Sequence, residues 1–249
     1  MIRVSQVTKS YFAGQPNEKN VLHGVDLHIA EGSTQFLLGG NGAGKTTLLR
    51  IISSLLPMCA GSVRVNGCDT DSDAQGVKQS IGFFSANTAL YERLSGREFL
   101  EYFSMLYGIS PELFQAKLIE MNELFKFGKS LDLRCSDMSS GQRQKFNIAR
   151  SLLHDPPIYI MDEPTLGLDI ESLAGILDFI VYQRARAKTL LIVTHNMEMV
   201  HKLGGQVAFL MNGRILHNLS VTEIMQQSGK DNLIDAYRYY AQTQSDSNL

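Results

Sequence analysis

Apolar and polar positions alternate at both ends of the first thirty residues, at Ile2 and Val4 and again at Val25, Leu27 and Ile29. A period of two marks a half-buried strand, so the chain is expected to open with strands, broken by the turn-rich run AGQPNEKN at 13–20. Gln35-Phe36-Leu37-Leu38 reads as a short buried strand that ends at Gly39-Gly40. Leu48, Leu49, Ile51, Ile52 and Leu55 then fall at helical spacing until Pro57. Further strands are predicted at 61–65, 81–84, 158–161, 190–193 and 207–211. Helical spacing occupies 95–126, punctuated by Pro111, then 139–153, and returns near 171–184 and 196–203. Strands alternating with helices predict an α/β fold with a mostly parallel sheet covered on both faces. The last twenty residues are polar and carry Tyr237, Tyr239 and Tyr240, which fits either an ordered appendage or a frayed tail.

Composition changes this picture little. Lys plus Arg is 23 and Asp plus Glu is 25, a net charge of 23 − 25 = −2, so there is no basic excess to expect a nucleic-acid partner. Cys59, Cys68 and Cys135 are widely spaced without a metal pattern and are expected to be buried or idle thiols. The N-terminal segment lacks the apolar core of a signal peptide, and no stretch approaches the ~18 apolar residues of a membrane span. A cytoplasmic chain is therefore expected, and any action at a membrane would need another polypeptide.

The candidate chemistry lies at the ends of two predicted strands. Gly39-Gly40-Asn41-Gly42-Ala43-Gly44-Lys45-Thr46-Thr47 fits G-x-x-x-x-G-K-[ST] between a strand and a helix. Small residues there let successive backbone N–H groups converge on phosphate oxygens, and the helix N-terminus adds positive charge. Lys45 is placed to reach the outer phosphates, and Thr46 to offer its hydroxyl to Mg²⁺. Ile158 to Met161 leads to Asp162-Glu163. Asp162 is the expected Mg²⁺ ligand, and Glu163 the residue that polarises the attacking water.

With these motifs in order, the chain resembles an ATP-binding-cassette (ABC) ATPase over essentially residues 1–217, closest in wording to bacterial exporter ATPases of the sodium-extruding and related type. Leu166-Gly167-Leu168-Asp169 resembles the family's D-loop, Thr194-His195 its switch histidine, and Tyr11 the aromatic that stacks on adenine, with Phe12 an alternative. The resemblance implies a P-loop NTPase fold with an N-terminal antiparallel β subdomain and an inserted helical subdomain. The core would be 1–85 with 155–217, the helical subdomain 86–154, and a C-terminal appendage 218–249. It also implies a mechanism. Two nucleotide-binding domains, identical or paralogous, pair head to tail, ATP closes the dimer, and hydrolysis with Glu163, His195 and Lys45 reopens it. Asp169 would bridge to the opposite protomer. Each ATP would meet the signature of the other chain, and a separate membrane permease would dock near 86–110. The chain would then lie on the inner face of the cell membrane.

Two stretches compete for the signature. Met138-Ser139-Ser140-Gly141-Gln142 is followed by RQKFNIAR, resembles the family's signature helix, and stands 20 positions before Asp162 at Gln142. Ser139, Gly141 and Gln142 are thus the expected nucleotide contacts. Leu94-Ser95-Gly96 lacks that tail. Ser95 with Glu98 reads instead as a capping box that starts a helix. The chain departs from the family mildly at Met138 and Ser140 of the signature and at Ile170, where a proline often follows the D-loop, and more seriously at the Q-loop. Ser85-Ala86 stands where Pro-Gln is usual in the Q-loop, and Asn87 is the candidate substitute. The rival readings are a soluble ABC ATPase, such as one for cluster assembly, and an ATP-binding regulatory partner with weak turnover.

Overall fold

In the computed structural model, which describes residues 1–246 apart from Asn87 and Asp169, the chain divides into two units. The side chains of Ile170, Glu171 and residues 243–246 are outside the description. The first unit comprises 1–78 with 189–249, and the second 79–188.

In the first unit, β1 (Ile2–Tyr11) pairs antiparallel with β2 (Lys19–Ile29) and with β4 (Ala60–Val65), which pairs in turn with β5 (Cys68–Asp69). Ile2, Val4 and Val7 of β1 are buried. The step from period two at Val4 to Val7 is taken by a register shift, with Gln6 in the left-handed region at φ 48°. That irregularity hides the second half of β1 from a reading by alternation. β3 (Thr34–Leu38) lies between the parallel strands β8 (Thr189–Val193) and β9 (Gln206–Met211), and β10 (Arg214–Ser220) returns antiparallel along β9. β3 and β8 are buried at every position, as expected for strands covered on both faces. The helices are α1 (Lys45–Ile52), α2 (Ala74–Ser80, which reaches the boundary), α7 (Met197–Leu203), α8 (Val221–Ser228) and α9 (Leu233–Asp246).

α1 stops at Ile52, short of the predicted end near Pro57. Ser54 turns left-handed at φ 52°, Leu55 N–H donates to the Arg50 carbonyl at 2.8 Å, and Leu55 points to solvent. The wrap-around bond caps the helix before proline is reached. The C-terminal residues form an ordered appendage as far as Asp246: α9 buries Leu233, Ala236 and Tyr240.

In the second unit, β6 (Ile81–Ser85) and β7 (Ile158–Asp162) pair in parallel. Between them in sequence run α3 (Gly96–Leu106), α4 (Pro111–Phe125) and α5 (Ser140–Leu152), and α6 (Ile170–Ala185) follows. Ser110 caps α4 through Leu113 N–H, with Pro111 in the first turn, where it costs no helix hydrogen bond. Phe146 of α5 is fully buried and stacks on Phe127 at 4.4 Å. Cys135 is buried in this unit, its thiol pushed up by desolvation and so kept protonated.

Candidate functional site

The glycine-rich loop is built by close approach. β3 delivers the chain to Gly39 beside β9, where a Cβ would collide with the carbonyl oxygen of Leu210. Gly44 ends the loop at φ +104°, and a Cβ there would come within 2.7 Å of Leu22 Cδ2. Neither position accepts a larger residue. Gly44 is the N-cap of α1 with no side-chain cap, and the first turn carries no acid. The N–H groups and positive end of the helix are thus left for an anion. Lys45 folds back across the loop, its Nζ donating to the carbonyls of Gly39 at 2.7 Å and Gly40 at 3.0 Å. Asn41, Gly42 and Thr46 are exposed, and Ala43 and Thr47 half-buried. This loop, packed so closely on Leu210 and Leu22 that Gly39 and Gly44 have no room for a Cβ, with Gly40 and Gly42 facing open space, fits a polyphosphate.

Tyr11 is tied to the same helix: its hydroxyl lies 3.3 Å from Thr47 Oγ1, and Lys9 Nζ stands 5.5 Å from its ring centroid. Phe12 instead points to solvent from a left-handed backbone. The structure therefore brings Tyr11, not Phe12, to the cradle. His195 also belongs to this unit. Strand β8 ends at the fully buried Thr194, whose Oγ1 accepts from Asn196 N–H at 3.0 Å. Asn196 in turn caps α7 through Met199 N–H at 3.0 Å. His195 is held exposed between these two fixed neighbours.

The acid pair and the signature lie in the second unit. β7 is buried throughout and ends at Asp162, itself 6% exposed. Glu163 follows at φ 52°, a left-handed conformation uncommon for a residue with a side chain. Such strain persists where the surroundings impose it, and it turns the carboxylate out of the strand's alternation. Ser139 caps α5: its Oγ accepts from Gln142 N–H at 3.2 Å, and Ser139 N–H donates to Gln142 Oε1 at 2.8 Å. The Gln142 amide also donates to Ser130 Oγ at 2.9 Å. Gln142, expected as a nucleotide contact, thus has its side chain engaged in the cap. Ser139 keeps its hydroxyl proton to donate. Gly141 is buried one turn in. Ser139 and Gln142 open onto a cavity of about 350 Å³ that Lys126, Lys129 and Lys145 also line.

Ala86 donates its N–H to the Asp162 carbonyl at 3.2 Å, directly after Ser85 pairs with Asp162 in the sheet. The Q-loop segment is therefore joined to the acid strand by backbone rather than by a glutamine side chain. Asn87 and Asp169 lie outside the described residues. Two polar residues absent from the candidate set sit at this junction. Gln144, 7% exposed, donates to the Pro164 carbonyl, and Asn147, 2% exposed, donates to the Thr88 carbonyl at 2.7 Å. One helix thereby holds both the loop after Glu163 and the segment after Ala86. The sequence carries a faint signal for them, polar side chains falling on the same helical stripe as buried Ile148 and Ser151.

Known proteins share this layout. The family model described as "ABC transporter" matches residues 22–166. The ABC transporter ATP-binding protein NatA of Bacillus subtilis is 38% identical over 210 residues, 84% of this chain and 85% of that one. The daunorubicin resistance ATP-binding protein DrrA3 of Streptomyces coeruleorubidus is 32% identical over 87% of this chain and 68% of its own. A dimeric ATP-binding cassette, solved in a post-hydrolysis state with ADP and Pi, superposes with a TM-score of 0.79 at 26% identity, covering 89% of this chain and 99% of that one.

Proposed function

We propose that this chain, which belongs to the ABC transporter family and is an ATP hydrolase, energises the export of a substrate through separate membrane subunits by ATP-driven closure of paired cassettes. The observation that carries the reading is the cradle. Gly39 and Gly44 occupy positions where any Cβ would clash, and Lys45 reaches across an uncapped helix N-terminus.

Within this reading, Gly39 to Thr47 bind the triphosphate and Tyr11 stacks on adenine. Thr46 and Asp162, both hard oxygen donors, would hold Mg²⁺, which neutralises charge on the phosphates when bound. Glu163 orients and polarises the attacking water, and His195 holds that water and the outer phosphate in line. Ser139 and Gly141 present a hydroxyl and an amide to the nucleotide of a second cassette, and Asp169 bridges the pair. Residues 86–154 form the helical subdomain, and the permease docks near 86–110. Support for that surface comes from α3 and the loop before it, where Tyr91 of the loop and Tyr102 of the helix stay partly exposed in an aromatic cluster with Phe99 and Phe103, and Met105 and Leu106 point to solvent. Support for export comes from the relatives, one of them a drug-resistance protein. No described helix is long and apolar enough to cross a membrane, so the membrane path would belong to the partner.

The test is Glu163→Gln. Hydrolysis should fall by at least about 10²-fold, and ATP should trap a dimer resolvable by size exclusion. Wild-type turnover in that variant would overturn the catalytic assignment. Affinity isolation from detergent-solubilised membranes should recover an integral membrane subunit, and recovery of soluble partners alone would favour the cluster-assembly type of ATPase.

A further inference from the structure

The Tyr-rich C-terminal helix reaches the phosphate cradle. α9 buries Leu233, Ala236 and Tyr240, spaced i, i+3 and i+7, and meets β9 at Phe209. Tyr240 and Tyr237 both pack on Phe209, with ring centroids 5.6 Å and 5.4 Å away, the latter edge to face. That seating turns the neighbouring stripe, Tyr237 and Ala241, towards a cavity of about 600 Å³ whose other walls include Gly40 to Ala43 of the cradle. Lys19, Asn20 and His23 of β2 also line it, and no carboxylate does among the described residues. The size is that of a small-molecule site, and the lining suits an anion with a polar, ring-bearing remainder.

Only part of this cavity is phosphate cradle. The rest is walled by β2 and α9. Lys19 pairs in register with Tyr11, the residue tied to Thr47. We propose that Tyr237 contacts the nucleoside half of the ATP whose phosphates lie between Gly39 and Thr47, and that Ala241 keeps the cavity open beside it. The inference rests on ATP occupying the cradle and adds a wall to its pocket. The half-buried tyrosine, already held by Phe209, lines the cavity and offers an aromatic contact at little entropic cost. The methyl of Ala241, one turn further on, is small enough not to fill the space.

Equilibrium binding of a non-hydrolysable ATP analogue and of inorganic tripolyphosphate separates the contributions. Tyr237→Ala should weaken the analogue about five-fold, the equivalent of one lost aromatic contact, and leave tripolyphosphate unchanged. Ala241→Leu, which adds bulk without removing a contact, should also weaken the analogue alone. Tyr237→Phe should retain most of the affinity. Tyr239→Ala, which alters an exposed ring on the same helix, should change neither ligand. Unaltered analogue affinity in Tyr237→Ala and Ala241→Leu would overturn the proposal, as would an equal loss of both ligands, which would mean a distorted cradle. If Tyr237→Ala does not fold, Ala241→Leu and Tyr237→Phe decide. Lys45→Ala should abolish binding of both ligands. If it does not, ATP does not occupy the cradle as proposed, a failure distinct from that of Tyr237.

Discussion

Helices α3 and α5 begin with the same device and are suited to opposite tasks. In α3, Ser95 Oγ accepts from Glu98 N–H at 3.2 Å and Ser95 N–H donates to Glu98 Oε2 at 2.8 Å. In α5 the corresponding distances for Ser139 and Gln142 are 3.2 Å and 2.8 Å. Backbone capping therefore does not distinguish a phosphate site from a helix start. Charge and access do. At α3 the third residue is a carboxylate, which neutralises the helix's positive end. Gly96 N–H is already bonded to the Leu133 carbonyl at 3.1 Å, and the ring of Phe146 fills the space over Gly96. At α5 the third residue is a neutral amide, and the cap opens to a cavity lined by three lysines. An anion is repelled and excluded at the first helix and attracted at the second.

The widest test exchanges the charge. Gln142→Glu preserves the capping box but places a carboxylate where the γ-phosphate of the second cassette is expected. Steady-state ATP hydrolysis should fall about 10²-fold, the scale of losing one preorganised anion contact, with the melting temperature unchanged. Glu98→Gln should leave hydrolysis at the wild-type rate. If Gln142→Glu hydrolyses ATP normally, α5 does not meet a phosphate, and the difference between the helices is one of packing alone.

The comparison also separates what the sequence discloses from what it does not. The cradle is legible because every element of it is local. A strand, six loop residues and a helix follow one another in the chain. The Ser95 box is legible for the same reason, since its partners stand three residues apart. Asn147 and Gln144 are not legible, because the carbonyls they serve lie 59 and 20 positions away. Nor is the left-handed turn at Glu163, nor the seat of α9, whose Tyr237 and Tyr240 meet Phe209 from about thirty positions away in the chain. Long-range partners leave no period in a chain. Where the family's glutamine is missing at Ala86, helix α5 joins the two segments through Gln144 and Asn147, side chains of the signature tail whose partners the sequence does not disclose.

That join gives the second test. Asn147→Ala leaves the Thr88 carbonyl without its amide donor in a buried setting, a loss of about 2 kcal/mol in unfolding free energy. Chemical denaturation would measure it. If α5 links the acid loop to the docking segment, stimulation of hydrolysis by the membrane subunit should fall further than the basal rate. An equal fall in both would reduce Asn147 to packing. α3 has no equivalent residue in the described contacts with the acid strand, so exposed substitutions along it should alter docking without altering basal turnover.

The smallest effect is a titration, and it bears on the neutral amide. Hydrogen bonds from the Ser95 backbone and side chain hold the Glu98 carboxyl below the ordinary glutamate range. A depressed folded-state pKa means that the cap's contribution is complete above the unfolded value, near 4.3. It is lost as pH falls through the lower, folded value. Gln142 has no proton to gain. On acidification, the amide resonances of Ser95 and Glu98 should titrate together with a midpoint below about 4.3, while those of Ser139 and Gln142 stay flat. Matching titrations at both helices would mean that a shared distant carboxylate governs them, and the local contrast between a charged and a neutral cap would fail. Flat behaviour at Ser139 would mean that α5 keeps its cap, and its positive end, at every pH the fold survives. Helix α3 gives up its cap first.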